Sequence, residues 1–81
     1  MFDDLQIDQF LDTKGLNCPL PILKTKKALV SMLPGQTIHV VATDPGSVAD
    51  FEAFSIQSGH QQLKSWQHQE EFHFLIEKAS K

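Results

Sequence analysis

The segment GLNCPLP at residues 15–21 has the pattern of a junction between a strand and a helix. Glycine ends the preceding element, and proline is favoured at the first position of a helix, where its missing N–H would have no intrahelical partner. The pattern predicts that a helix starts at Pro19, that Cys18 is its N-cap residue and that Pro21 lies in its first turn. Gly15 allows a tight turn before the cysteine.

Cys18 is the only cysteine of the chain and is the candidate reactive residue. A helix N-terminus favours a thiolate through the helix dipole and through free N–H groups, here those of Leu20 and Ile22. Because the thiolate is the nucleophilic form, we expect the pKa of Cys18 to lie below its ordinary value. The alternative is a structural role, in which Cys18 is a small side chain packed at the helix start.

The composition, with 41% hydrophobic and 21% charged residues, indicates one globular domain over residues 1–81, with residues 1–9 as a loosely ordered lead-in. A chain of this size buries roughly 60% of its unfolded surface, which gives a thin core and no deep enclosed site. No apolar run approaches the ~20 residues of a membrane span. The N-terminal sequence lacks a secretory signal pattern, so we expect a cytoplasmic protein with a reduced thiol.

Several functions are disfavoured by the sequence. A single cysteine excludes an intramolecular disulfide, so any sulfur species on Cys18 must come from a second molecule. The net charge of −3 argues against direct nucleic-acid binding, which needs a basic surface. The four histidines show no spacing typical of metal ligands, and none is placed to act as the base of a cysteine hydrolase. We therefore expect neither a metal nor a cofactor.

The order of predicted elements is β-α-β-α-β-β. They are a strand at 10–13, a helix at 19–33, a strand at 37–42, a helix from Asp44-Pro45 to 58 with Asp44 as N-cap and Gly59 as C-cap, and strands at 61–67 and 72–78. This order predicts an α+β fold, a two-layer sandwich in which two helices cover one face of a four-stranded mixed sheet. Cys18 then lies at the carboxyl end of the first strand, where such folds place functional groups.

The first predicted helix has two distinct faces. Its apolar stripe is predicted to face the core, while Lys24 and Lys27 lie opposite and Lys26 lies on the flank. These lysines are candidate partner-binding residues, and the alternative is a solvated helix face.

The chain resembles the TusA/SirA family of small sulfur-carrier proteins over nearly its whole length. The residues that carry the resemblance are the Gly-Leu-x-Cys-Pro-x-Pro core at 15–21, then Pro34-Gly35, Asp44-Pro45 and Gly59-His60. The resemblance implies a two-layer β-α-β-α-β-β fold and a persulfide carried on Cys18, in a loop shaped by Gly15, Pro19, Leu20 and Pro21. It also implies a cysteine desulfurase as donor and a relay protein as acceptor, with the chain acting as a carrier and not as a stand-alone catalyst.

In the best-known members of this family the sulfur ends in thiouridine of transfer RNA, which is the pathway we expect here. Delivery to cofactor biosynthesis or sulfur oxidation is the alternative, because Leu20 is apolar where the tRNA-pathway protein carries an acid. A regulatory interaction module is a further alternative, and a small RNA-binding domain is disfavoured by the acidic charge and by the absence of interleaved surface aromatics. We expect a monomer.

Overall fold

The structure is a computed structural model that describes residues 7–79. Its elements are β1 (Gln9–Thr13), α1 (Leu20–Val30), β2 (Thr37–Ala42), α2 (Ser47–Ser58), β3 (Gln61–His68) and β4 (Glu71–Glu77). The predicted order of elements is confirmed. Most of the predicted lead-in lies outside the described residues, and β1 begins one residue earlier than predicted.

The four strands form one mixed sheet in the order β1-β2-β4-β3. Strands β1 and β2 are parallel, which follows from the helix that connects them, and β4 runs antiparallel to both of its neighbours. The central strand β2 is rich in β-branched residues and is buried along nearly its whole length. The parallel pairing brings the carboxyl ends of β1 and β2 together at one edge of the sheet.

Both helices pack on the same face of the sheet. Alternate residues of β2 and β4 point toward them, and Phe51 stacks on Phe74 with ring centroids 4.2 Å apart. The predicted stripe of α1 is confirmed, since its apolar members are buried. The core on this face consists of Ile22, Leu29, Met32, Ile38, Val40, Ala42, Phe51, Phe54, Phe74 and Ile76. Neither helix of residues 7–79 has the length and apolar character that crossing a bilayer requires.

Both helices begin later than predicted. The N-cap residue of α1 is Pro19, not Cys18, because the Leu20 N–H bonds the Asn17 carbonyl oxygen and closes a turn before the helix starts. The N-cap residue of α2 is Gly46, because the Ser47 N–H bonds the Asp44 carbonyl oxygen in the same way.

The helix C-termini differ in how well the sequence predicts them. Helix α1 ends at Val30, three residues before the predicted end, in a tight turn in which the Ser31 N–H bonds the Ala28 carbonyl oxygen. Gly59 is the C-cap of α2 in the left-handed conformation, as predicted.

Candidate functional site

Cys18 lies in the exposed loop between β1 and α1. Two hydrogen bonds tie the start of this loop to the end of β2: the Thr13 hydroxyl donates to the Val41 carbonyl oxygen at 2.6 Å, and the Gly15 N–H donates to the Thr43 hydroxyl at 2.9 Å. Gly15 has φ +84°, a left-handed conformation that favours glycine, which agrees with the predicted tight turn. The cysteine loop is therefore held beside the loop that leads into α2.

The side chain of Cys18 faces the N-terminus of α2. Its thiol donates a hydrogen bond to Oδ2 of Asp50, in the first turn of α2, and its backbone N–H donates to Oδ2 of Asp44 at 3.0 Å. Gly46 lies against both groups: a Cβ atom there would be 3.2 Å from Asp44 Oδ2 and 3.8 Å from Cys18 Cβ. The sulfur thus bonds a carboxylate of α2, and a second carboxylate, in the loop before α2, bonds the backbone N–H of the same residue.

The expected depression of the pKa of Cys18 is wrong. The hydrogen bond to Asp50 raises the pKa of Cys18 above its ordinary value, because it stabilises the protonated thiol, and the negative charges of Asp50 and Asp44 add to the effect. The Leu20 N–H is not free to stabilise a thiolate, because it bonds the Asn17 carbonyl oxygen at 2.8 Å. The resting group is therefore a thiol held by a carboxylate.

The two prolines differ in their surroundings. Pro21 is buried in the first turn of α1, where its carbonyl oxygen accepts the hydroxyl of buried Thr25 at 2.8 Å. Pro19 is exposed and follows Cys18 through a cis peptide bond. Leu20 between them is 44% exposed, so an apolar side chain stands at the surface two residues after the cysteine.

A shallow groove of about 160 Å³ runs between α1 and α2 next to the cysteine loop. Its lining includes Pro19, Lys26, Asp50 and Phe54, and the Lys26 ammonium lies 5.9 Å from the centroid of the Phe54 ring. Of the three predicted partner-binding lysines, Lys26 therefore borders the groove. Lys24 and Lys27 are exposed elsewhere on α1 and do not line it.

Asp44, Gly46 and Asp50 are the site residues that the sequence reasoning missed as such. The sequence predicts Asp44 as the N-cap of the second helix, yet its side chain accepts the N–H of Cys18 in the cysteine loop. The available signal was topological: parallel strands end at the same edge of a sheet, so residues after β2 had to lie near the loop after β1. Residues 7–79 hold no group of three or more His, Cys, Asp or Glu side chains suited to a metal ion.

The comparisons with known proteins agree with this architecture. The family described as Sulfurtransferase TusA matches residues 9–78. The chain is 57% identical over 72 residues to the Sulfur carrier protein TusA of Allochromatium vinosum, an alignment that covers 89% of this chain and 95% of that protein. The crystal structure of a SirA-like protein from Desulfitobacterium hafniense has the same fold, with a TM-score of 0.77 at 20% identity over 88% of this chain and 97% of that one. The chain belongs to the TusA family of sulfur carriers.

Proposed function

We propose that Cys18 accepts a sulfur atom from the persulfide of a cysteine desulfurase and passes it to a downstream relay protein. The observation that carries the proposal is the exposed thiol of Cys18 hydrogen-bonded to Asp50 at the edge of a fold shared with sulfur carriers. An exposed sulfur beside a shallow groove suits transfer between two proteins, since the partner and not a small substrate supplies the other reacting atom.

The transfer needs a nucleophile and a proton acceptor. The Asp50 carboxylate takes the proton of the Cys18 thiol as the sulfur attacks the outer sulfur of the donor persulfide. A bond forms between Cys18 Sγ and that outer sulfur while the S–S bond of the donor breaks, and the donor cysteine leaves as a thiolate. In the second step the acceptor thiolate attacks the outer sulfur of Cys18-S-SH, and Cys18 leaves as a thiolate that regains a proton. No external oxidant or reductant is required.

The groove between α1 and α2 is the proposed docking surface for these partners. It borders the sulfur through Pro19 and Asp50 and combines a cation at Lys26 with an aromatic ring at Phe54. Leu20 and Leu23 are exposed apolar residues of the same helix α1. Partner proteins with acidic and apolar residues would complement this surface.

The proposed destination of the sulfur is thiouridine of transfer RNA, in a cytoplasmic relay. This pathway rests on the resemblance to the best-known family members. Cofactor biosynthesis or sulfur oxidation is the alternative destination, because Leu20 is apolar where the tRNA-pathway protein carries an acid.

Intact-protein mass spectrometry after incubation with a desulfurase and cysteine tests the carrier role. We expect the mass of one added sulfur atom on the chain, reversed by a thiol reductant. Cys18→Ser should gain no mass while keeping the circular dichroism of the parent. Sulfur uptake by Cys18→Ser, or no uptake by the folded parent, would contradict the proposal and favour a regulatory interaction module.

The lysines provide a matched test of docking. Lys26→Glu should slow loading severalfold and reduce the dependence of the loading rate on salt, because a rim charge acts mainly on association. Lys24→Glu makes the same charge change on the same helix outside the groove and should have the smaller effect. Equal rates for both variants would place the docking surface elsewhere.

A further inference from the structure

Two histidines meet on the sheet face that the helices leave uncovered. His39 on β2 and His73 on β4 are 34 positions apart in sequence, yet Nε2 of His39 lies 2.9 Å from Nδ1 of His73. Both side chains are half-buried on adjacent central strands, so their backbone positions are fixed by the sheet. Because these two residues lie far apart in the chain, no local spacing in the sequence predicts the pair.

The surroundings orient both rings. Trp66 stacks on the ring of His73 with a centroid distance of 4.9 Å and an interplanar angle of 5°, and Phe10 meets His39 edge-on at 5.1 Å. Oε1 of Glu71 lies 3.3 Å from Nε2 of His73 and favours a proton on that nitrogen. Nδ1 of His73 is then left with its lone pair facing His39. A carboxylate behind a histidine is the common support of a metal-ligating imidazole.

We propose that His39 and His73 form a two-imidazole binding site for a divalent late transition-metal ion, with Glu71 as a supporting residue and solvent completing the coordination. With metal–nitrogen bonds of about 2.0–2.1 Å, the observed separation of 2.9 Å corresponds to an N–metal–N angle of about 90°. The proton on Nε2 of His39 moves to Nδ1 of the same ring, and both rings tilt so that their lone pairs converge on the ion.

The geometry selects among metals. A right angle suits the neighbouring positions of tetragonal Cu(II) or octahedral Ni(II), whereas tetrahedral Zn(II) requires the two nitrogens to move apart. Copper also leads the general order of affinity for nitrogen ligands. We expect Cu(II) to bind most tightly, then Ni(II), then Zn(II).

Trp66 gives a direct readout, because it is the only tryptophan and it stacks on one proposed ligand. Titration of the full chain with CuCl₂ or NiCl₂, in a Cys18→Ser background that removes the competing thiol, should quench its fluorescence saturably at one ion per chain. His39→Asn and His73→Asn should each weaken this binding by more than tenfold. Glu71→Gln should weaken it by about tenfold, because the ring of His73 loses its supporting carboxylate.

His68→Asn is the matched control, since it removes an exposed histidine at the end of β3 and should bind as the parent does. Circular dichroism reports whether each variant is folded, and ¹H–¹⁵N spectra of the histidine rings with Zn(II) give a second readout that does not use Trp66. Equal affinity of the folded His39→Asn and His73→Asn variants, or no saturable quenching, would overturn the site. Because Cys18 is absent throughout, the outcome is independent of the proposed sulfur transfer.

Discussion

Helices α1 and α2 follow the same kind of sequence signal but contribute differently to the hydrogen bonds of Cys18. Each helix follows a candidate capping residue and a proline, and the N-cap residue lies one residue later than predicted in α1 and two residues later in α2. The cysteine belongs in sequence to the start of α1, yet its thiol and its N–H both bond to carboxylates at the start of α2. The chemical environment of a residue is set here by the neighbouring element and not by its own.

This difference predicts a ranking of variants by their effect on the alkylation of Cys18. Asp50→Asn should have the largest effect, because it removes the acceptor of the thiol proton and one negative charge. The pKa of Cys18 should fall, and alkylation at neutral pH should accelerate by about threefold for each unit of that fall, since thiolate fraction rises while nucleophilicity declines. Iodoacetamide rates measured from pH 6 to 11 give the midpoint.

Glu52→Gln makes the same charge change on α2 at an exposed position and serves as the control. An unchanged midpoint in Asp50→Asn would show that the thiol is not held by this carboxylate. Sulfur loading of Asp50→Asn should nevertheless slow, because the proposed proton acceptor is missing.

Asp44→Asn should have a smaller effect on the same midpoint. Its charge is the weakest of the causes that raise the pKa of Cys18, and the amide oxygen can still accept the Cys18 N–H. Asp44→Ala removes that acceptor as well and should cost about 1–2 kcal/mol of unfolding free energy. Thermal denaturation should separate the two variants by roughly 4–8 °C per kcal/mol; coincident melting curves would contradict a role for this bond.

Pro21→Ala should have the smallest effect on the midpoint. It restores an N–H at the start of α1, but the sulfur faces α2, so the alkylation profile should stay that of the parent. The lost packing of a buried ring should instead lower the unfolding free energy by about 1 kcal/mol. A clear acid shift of the midpoint would show that α1 does act on the sulfur and would remove the contrast between the helices.

The sequence supports strong predictions where the signal is local or periodic. Periodicity correctly predicts the strands and the apolar stripe of α1. The C-cap signal correctly predicts Gly59 at the end of α2. Leu75 interrupts the alternation of β4 in the sequence. The structure shows why it is only 2% exposed: it pairs with His39 and Lys64 across the strands of the uncovered face.

Contacts between distant residues account for what was missed. The bond from Cys18 to Asp50 spans 32 positions and the histidine pair spans 34, so neither leaves a spacing that can be recognised in the chain. The prediction that surface aromatics are not interleaved is also wrong in part, because Phe10, His39, Trp66 and His73 form a cluster on the uncovered face. Strand register, which only the structure supplies, brings these side chains together.

The two carboxylates beside Cys18 also bear on how the proposed sulfur transfer is completed. In the proposed persulfide the outer sulfur lies beyond Sγ, and the charges of Asp44 and Asp50 oppose a negative charge there, while no lysine among residues 7–79 is bonded to Cys18. The same charges oppose the Cys18 thiolate that leaves when an acceptor takes the sulfur. On the proposed mechanism Asp50 therefore acts twice: it takes the thiol proton when sulfur is loaded, and it returns a proton to Sγ when sulfur is released, so the chain ends the cycle in the state in which it began.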